Sequence, residues 1–333
     1  MSQLVPGTAL PIRSTPHRPH GPLLVACALM AALLAWSLAG LVLDDRLIGG
    51  EPAWAKPAKF AAAFVLYTAT LAWLLSLPHR GARVTRWMGT IFAVTAVVDV
   101  GFVVVQAARG TFSHFNTESD AVNTVGQLIF ASGVPGLFAA NLVIAVTVLW
   151  QRVADRPTTL AIRAGLVLAV AGMALGYLMG FTGPRAAATA DGKVVELVGS
   201  HTVGDRAVRN DTAGLPGTDW STAGGDLRVP HFVGLHGIQV LLLAAVTLGW
   251  AARRFPALRA ERTRAGLVGV LAAAWAGLLG LTLWQALRGV PPAAPDGPVL
   301  RAAAVLLLGA AAGVALVLSA AARRPGPATP VSH

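Results

Sequence analysis

The sequence predicts an all-α protein, a polytopic integral membrane bundle of about eight transmembrane helices with an extracytoplasmic cap loop. Three observations carry this. Of 333 residues, 55% are hydrophobic and only 12% charged, whereas soluble domains are about 25% charged. The mean hydropathy is +0.64. The apolar residues gather into eight runs, each near the ~20 residues that a helix needs to cross the ~30 Å hydrocarbon layer. An ordinary soluble enzyme, a disordered chain and a disulfide-stapled secreted domain are thereby excluded. The one cysteine, Cys27, lies inside an apolar run, which leaves no disulfide, CxxC pair or cysteine metal knuckle.

The runs cover residues 22–43, 59–78, 87–108, 122–150, 164–182, 230–251, 265–287 and 299–321. The first follows Arg13 and Arg18 as a signal peptide would. Its apolar part of about 22 residues exceeds the roughly 7–15 of a signal core, so it is read as a retained helix. The fourth contains Gly133, Pro135 and Gly136; proline lacks a backbone donor and clashes with the preceding turn, so a kink or partial unwinding is expected there. Gly172, Gly176 and Gly180 in the fifth run, and Gly269, Ala273 and Gly277 in the seventh, recur every four residues. That spacing lets helices pack closely in lipid. The chain then divides into a tail (1–21), five spans (22–182), an extracytoplasmic segment (183–229), three spans (230–321) and a second tail (322–333).

Basic residues set the orientation. With both termini cytoplasmic, the inner segments hold fifteen arginines and two acids, Asp155 and Glu261, while the outer segments hold eleven basic and twelve acidic residues. Asp99 alone falls within a span. The net charge of +11 is thus an orientation signal for a bacterial-type plasma membrane and an attraction to anionic lipid. It is not a nucleic-acid footprint. Trp87, Trp150 and Trp250 sit at inner span ends and Trp54 and Trp284 near outer ends, where amphipathic rings prefer the headgroup layer.

Chemistry concentrates on the outer side. The first outer segment carries Asp44, Asp45, Arg46, Glu51, Lys56 and Lys59, the second reads RGTFSHFNTESDA, and the third is the long 183–229 connection. In that connection Asp191-Gly192 is a turn signal between strand-favouring flanks, which predicts a hairpin. Four of eight histidines, His114, His201, His231 and His236, lie on this side. Imidazole is the commonest metal ligand and titrates nearest neutral pH. His236 falls ~10 Å and Asp99 ~13 Å below the outer helix ends. An acid at such depth costs about 2.5–3.5 kcal/mol and normally finds a partner, for which Lys59 is placed. Gln106, Gln127 and Gln239 fall in the same outer half, and Trp54, Lys56 and Lys59 line an entrance. The plainer alternatives are hydrogen-bonded core histidines and a structural Asp99–Lys59 ion pair.

Three functional readings follow. The first is a metal-dependent membrane enzyme acting on a lipid or quinone-like substrate. Its ligands to a divalent zinc, iron or copper would be His114, His231 and His236, with Asp99 and Lys59 as catalytic groups and Trp54, Lys56, Gln127 and Gln239 as substrate contacts. A late histidine pair combined with Ser, His and Asp elsewhere is faintly similar to the intramembrane zinc hydrolases of the alkaline ceramidase type. That family spaces its late pair as HxxxH across seven spans, whereas His231 and His236 have four residues between them and the spans number eight. The second is a b-type haem redox protein with two axial histidines, such as His114 and His236. The third is a transporter or permease for a small anionic solute, built around the span-four break, Asp99 and the basic mouth at Lys56 and Lys59. No P-loop, GxGxxG, nucleophile elbow or HExxH is present.

Overall fold

Eight helices long and apolar enough to cross a membrane organise the computed structural model, which describes residues 18–212 and 214–323. They are α1 (Gly21–Leu43), α2 (Ala55–Leu74), α3 (Ala82–Ala108), α4 (Ala121–Leu149), α5 (Arg156–Gly176), α7 (Arg228–Ala251), α8 (Glu261–Leu287) and α9 (Gly297–Ala322); a short α6 (Arg206–Asn210) lies between α5 and α7. The protein is an all-α integral membrane bundle. Arg13, His17, Arg324 and His333 fall outside the described residues.

Several helices begin earlier than their apolar runs, α2 at 55 rather than 59 and α5 at 156 rather than 164. Polar first turns are invisible to hydropathy but are held by caps. Asp155 accepts from the Thr158 amide at 3.1 Å ahead of Pro157, and Asp120 and Asp296 cap α4 and α9 in the same way. Each cap satisfies amides that the helix itself leaves unpaired. α4 remains helical through Pro135, so the expected unwinding does not occur. Its neighbour α3 supports it: the Phe102 ring and the Asp99 carboxyl occupy the space that side chains on Gly126 and Gly133 would need.

The core joins both parts of the chain, with Leu71, Phe92, Ile144, Ile162, Leu166 and Ile238 fully buried in one cluster. The α5 glycines place α7 almost in backbone contact. A Cβ on Gly172 would stand 2.5 Å from the Leu235 nitrogen, and one on Gly165 would stand 2.5 Å from the Ile238 Cα. α9 packs on α8, where Leu306 sits against Gly277; the one buried side chain among its described residues is Val299.

At one end the helices carry a cap. It is built from the hairpin β1 (Leu47–Ile48)/β2 (Glu51–Pro52), the loop 109–120, the hairpin β3 (Arg185–Ala188)/β4 (Val194–Leu197) and the pair β5 (Thr202–Val203)/β6 (Gly225–Asp226). The β3–β4 connection spans residues 189–193, with Gly192 at φ +83°, so the predicted hairpin exists with a longer loop than Asp191-Gly192 alone implies. The segments are cross-linked. Gly49 donates to the Ala188 carbonyl (2.8 Å), Ala190 to Gly110 (2.8 Å) and Val198 to Phe115 (2.9 Å). The cap therefore draws on three separate stretches of chain, of which 183–229 is only the longest.

Candidate functional site

The loop between α3 and α4 is fixed from below by amides. Gln106 of α3 donates to the Phe112 carbonyl (3.2 Å) and to Asn123 Oδ1 (3.0 Å). Asn123 of α4 donates to the carbonyls of Asn116 (3.0 Å) and Glu118 (2.7 Å), and Gln127 donates to that of Ser113 (3.0 Å). The large majority of buried amides in folded proteins are paired in this way. The network holds Phe115 in the left-handed region at φ +61°, uncommon for a bulky residue. Its ring has room because position 199 is glycine.

This scaffold positions His114. Its ring lies 4.1 Å from that of Phe130 and 5.6 Å from that of Phe60, and Ser113 Oγ is 3.0 Å from Nδ1. Burial, and then the charge of Lys56, hold its pKa well below the ordinary histidine value. Lys56 occupies the first turn of α2, one turn from Phe60. It lies near enough to Glu51, Lys59, Arg228 and Arg185 to feel their charges. Among the described residues it makes no hydrogen bond or ion pair.

Arg185, His201, Asp226 and Arg228 complete the cluster. Asp226, its side chain fully shielded, accepts the Arg228 guanidinium (Nε 3.0 Å, Nη2 2.7 Å) and the Ser221 amide (2.8 Å). Arg228 also reaches Asp219. Burial alone would raise the Asp226 pKa, but Arg228 and the other donors outweigh it and the carboxyl titrates low. Arg185, 8% exposed, donates through Nη1 to His201 Nε2 (3.3 Å) and through Nη2 to the Asp211 carbonyl (3.3 Å), while its Nε is buried without a partner. A guanidinium can only donate, so His201 accepts at Nε2 and carries its proton on Nδ1, toward Thr202 Oγ1 at 3.2 Å. Burial and Arg228 push the His201 pKa far down.

The other residues singled out in the sequence lie apart from this cluster or serve the scaffold. Lys59 pairs with Glu51 and donates to the Thr218 carbonyl (3.0 Å), not to Asp99. Asp99 sits between α3 and α4, 5% exposed, with neither carboxyl oxygen hydrogen-bonded. The Trp54 indole donates to Asp44 (2.7 Å) and its ring fills the space beside Gly40, so it fastens α1 to α2. His231 donates Nδ1–H to the Gly172 carbonyl (2.7 Å), an α5–α7 tie. His236 lies parallel to the Phe232 ring, and Gln239 lies 3.4 Å from Thr70. Among the described residues no three His, Cys, Asp or Glu side chains come together as a metal-ligand set. His114, His231 and His236 are therefore not brought together as a ligand set: His231 is committed to the α5–α7 tie and His236 stacks on Phe232 of its own helix.

Sequence reasoning passed over Arg185, Asp226 and Arg228 and left His201 undecided. The signal in reach was the DLR triplet, an acid two residues before an arginine at the start of an apolar run. No known protein family, curated protein or solved structure matches the chain.

Proposed function

We propose that this integral membrane protein binds an organic anion beneath its outward-facing cap, as a solute-binding protein of permease type, with Lys56 and Arg185 contacting the ligand. One observation carries the reading: among the described residues, Lys56 and Arg185 are the cations of the cluster that make no direct ion pair with a carboxylate, although Glu51 lies near the first and Asp219, Asp226 and Asp211 near the second. Lys59 is matched by Glu51, and Arg228 by Asp226 and Asp219. A cation held in the protein without a direct ion-pair partner is costly, and a carboxylate or phosphate offsets that cost through charge-assisted hydrogen bonds. The rings of Phe60 and Phe130 beside His114 supply an apolar wall for the rest of the ligand. A binding role fits better than a catalytic one because His201 is engaged at both ring nitrogens and His114 at Nδ1. The deep carboxyl of Asp99 is the feature most typical of solute pathways through a bundle.

The test is binding to purified protein in detergent, with sodium benzoate and sodium phosphate compared against chloride at equal ionic strength. Benzoate or phosphate should raise the melting temperature. Lys56→Gln and Arg185→Gln should each weaken binding about tenfold, ~1.4 kcal/mol, and Lys59→Gln less. Binding that is unchanged in both of the first two variants, or no response beyond that to chloride, would overturn the reading.

A further inference from the structure

At the end opposite the cap, α5, the turn before it and α8 border an open cavity of about 280 Å³ lined by Arg152, Arg156, Thr159, Leu160, Arg163 and Ala265. Three arginines line it, and one nearby carboxylate, Glu261, pairs with a single one of their guanidinium groups. Glu261 accepts from Arg152 (3.3 Å) and from the backbone amide of Arg156 (2.5 Å). The neighbouring Asp155 spends its carboxylate on capping α5. The Arg156 and Arg163 side chains make no hydrogen bond or ion pair among the described residues, and Arg163 Nε is shielded from solvent without a partner. Leu160 and Ala265 give the cavity an apolar wall. Arg156 and Arg163 are about 10 Å apart along the helix at ~1.5 Å per residue, a span that reaches from the headgroup layer toward the hydrocarbon. α8 packs on α5, α7 and α9 and buries few of its own side chains completely.

We infer that this cavity is a phosphate-binding site, occupied by the headgroup phosphate of an anionic phospholipid or by free phosphate, with Arg156 and Arg163 as the primary contacts and Arg152 at the mouth. The rigid guanidinium fork matches two phosphate oxygens at once and is more weakly hydrated than an ammonium. Basic pockets between membrane helices on the arginine-rich side are suited to such headgroups. The apolar wall formed by Leu160 and Ala265 accommodates the start of an acyl chain.

Native mass spectrometry and thermal unfolding of the full chain in detergent test this. The probes are phosphatidylglycerol, phosphatidylcholine with the same acyl chains, and inorganic phosphate. Phosphatidylglycerol should bind at least tenfold more tightly than phosphatidylcholine. The double variant R156Q/R163Q should remove that preference, R156K/R163K should restore it in part, and R253Q/R254Q, at the same end but outside the cavity, should keep it. A stabilisation by inorganic phosphate alone that is abolished by R156Q/R163Q would assign the same site to the free anion. Equal binding of the two lipids with no phosphate effect, or identical losses in R253Q/R254Q, would overturn the inference. K56Q tests the cap site separately, because it should leave phosphatidylglycerol binding unchanged.

Discussion

Asp99 shows how one residue can be costly and still be retained. Both of its oxygens are buried without a hydrogen bond, and Gly133 of α4 leaves space for the carboxyl and nothing to pair with it. Replacing this carboxyl with an amide removes the cost of burying a charge, although the amide still lacks a partner. Asp99→Asn should therefore raise the melting temperature of the detergent-solubilised protein. A lower melting temperature would mean that the carboxyl has a partner in the folded protein. The histidines differ in the same local way. His231 is consumed by a bond to Gly172, His201 by Arg185 and Thr202, and His114 is set against aromatic rings. Nothing in the residue type separates these roles, because each depends on what the neighbouring element presents.

At the scale of elements, helix contacts follow small residues. The stripe Gly172, Gly176 in α5 meets Gly234 and the ring of His231 in α7, so its four-residue spacing, legible in the sequence, serves packing. Gly172→Val should cost ~1–3 kcal/mol through overpacking against the α7 backbone. Gly280 of α8 has open space around it, and Gly280→Ala should be neutral or stabilising by about 0.5–1 kcal/mol, since glycine loses more chain entropy in a helix. Thermal or denaturant unfolding of the two variants side by side measures the contrast; equal effects would remove the close α5–α7 crossing as a source of stability. Lys56 was legible too, as a basic residue at a span mouth. The loop that carries His114 was legible as polar, but its anchoring by Gln106, Asn123 and Gln127 was not, because amides in neighbouring helices pair only once those helices are adjacent.

At the scale of the molecule, the cap should make stability depend on pH in two windows. His114 and His201 titrate well below the ordinary ~6.5. The unfolded chain takes up their protons first, so stability is complete above about pH 6.5 and declines as pH falls below it. Asp44 and Glu118 are held low mainly by Arg46 and by Lys193, and Asp226 is low despite burial, through Arg228. Their contribution persists above the ordinary carboxyl range and is lost below about pH 4. Melting temperatures from pH 8 to 3 should fall in these two steps, and His201→Gln should shrink the first alone; a profile flat between pH 7 and 5 would contradict the burial of both imidazoles. The sequence by itself determined the class of the molecule, eight apolar spans joined by polar segments, because burying apolar surface in lipid depends on composition and length along the chain. It also set which end carries the arginines. Only the tertiary structure decided which residues share a site. Lys56, Arg185, His201 and Arg228 are far apart in sequence and meet because β3, β6 and the first turns of α2 and α7 fold over one another. The expected trio of His114, His231 and His236 is not brought together as a ligand set among the described residues, for the same reason. Depth in the membrane can be read from chain position, whereas the direction of a side chain is fixed by helix neighbours, and close packing sets those through contacts that no single segment encodes.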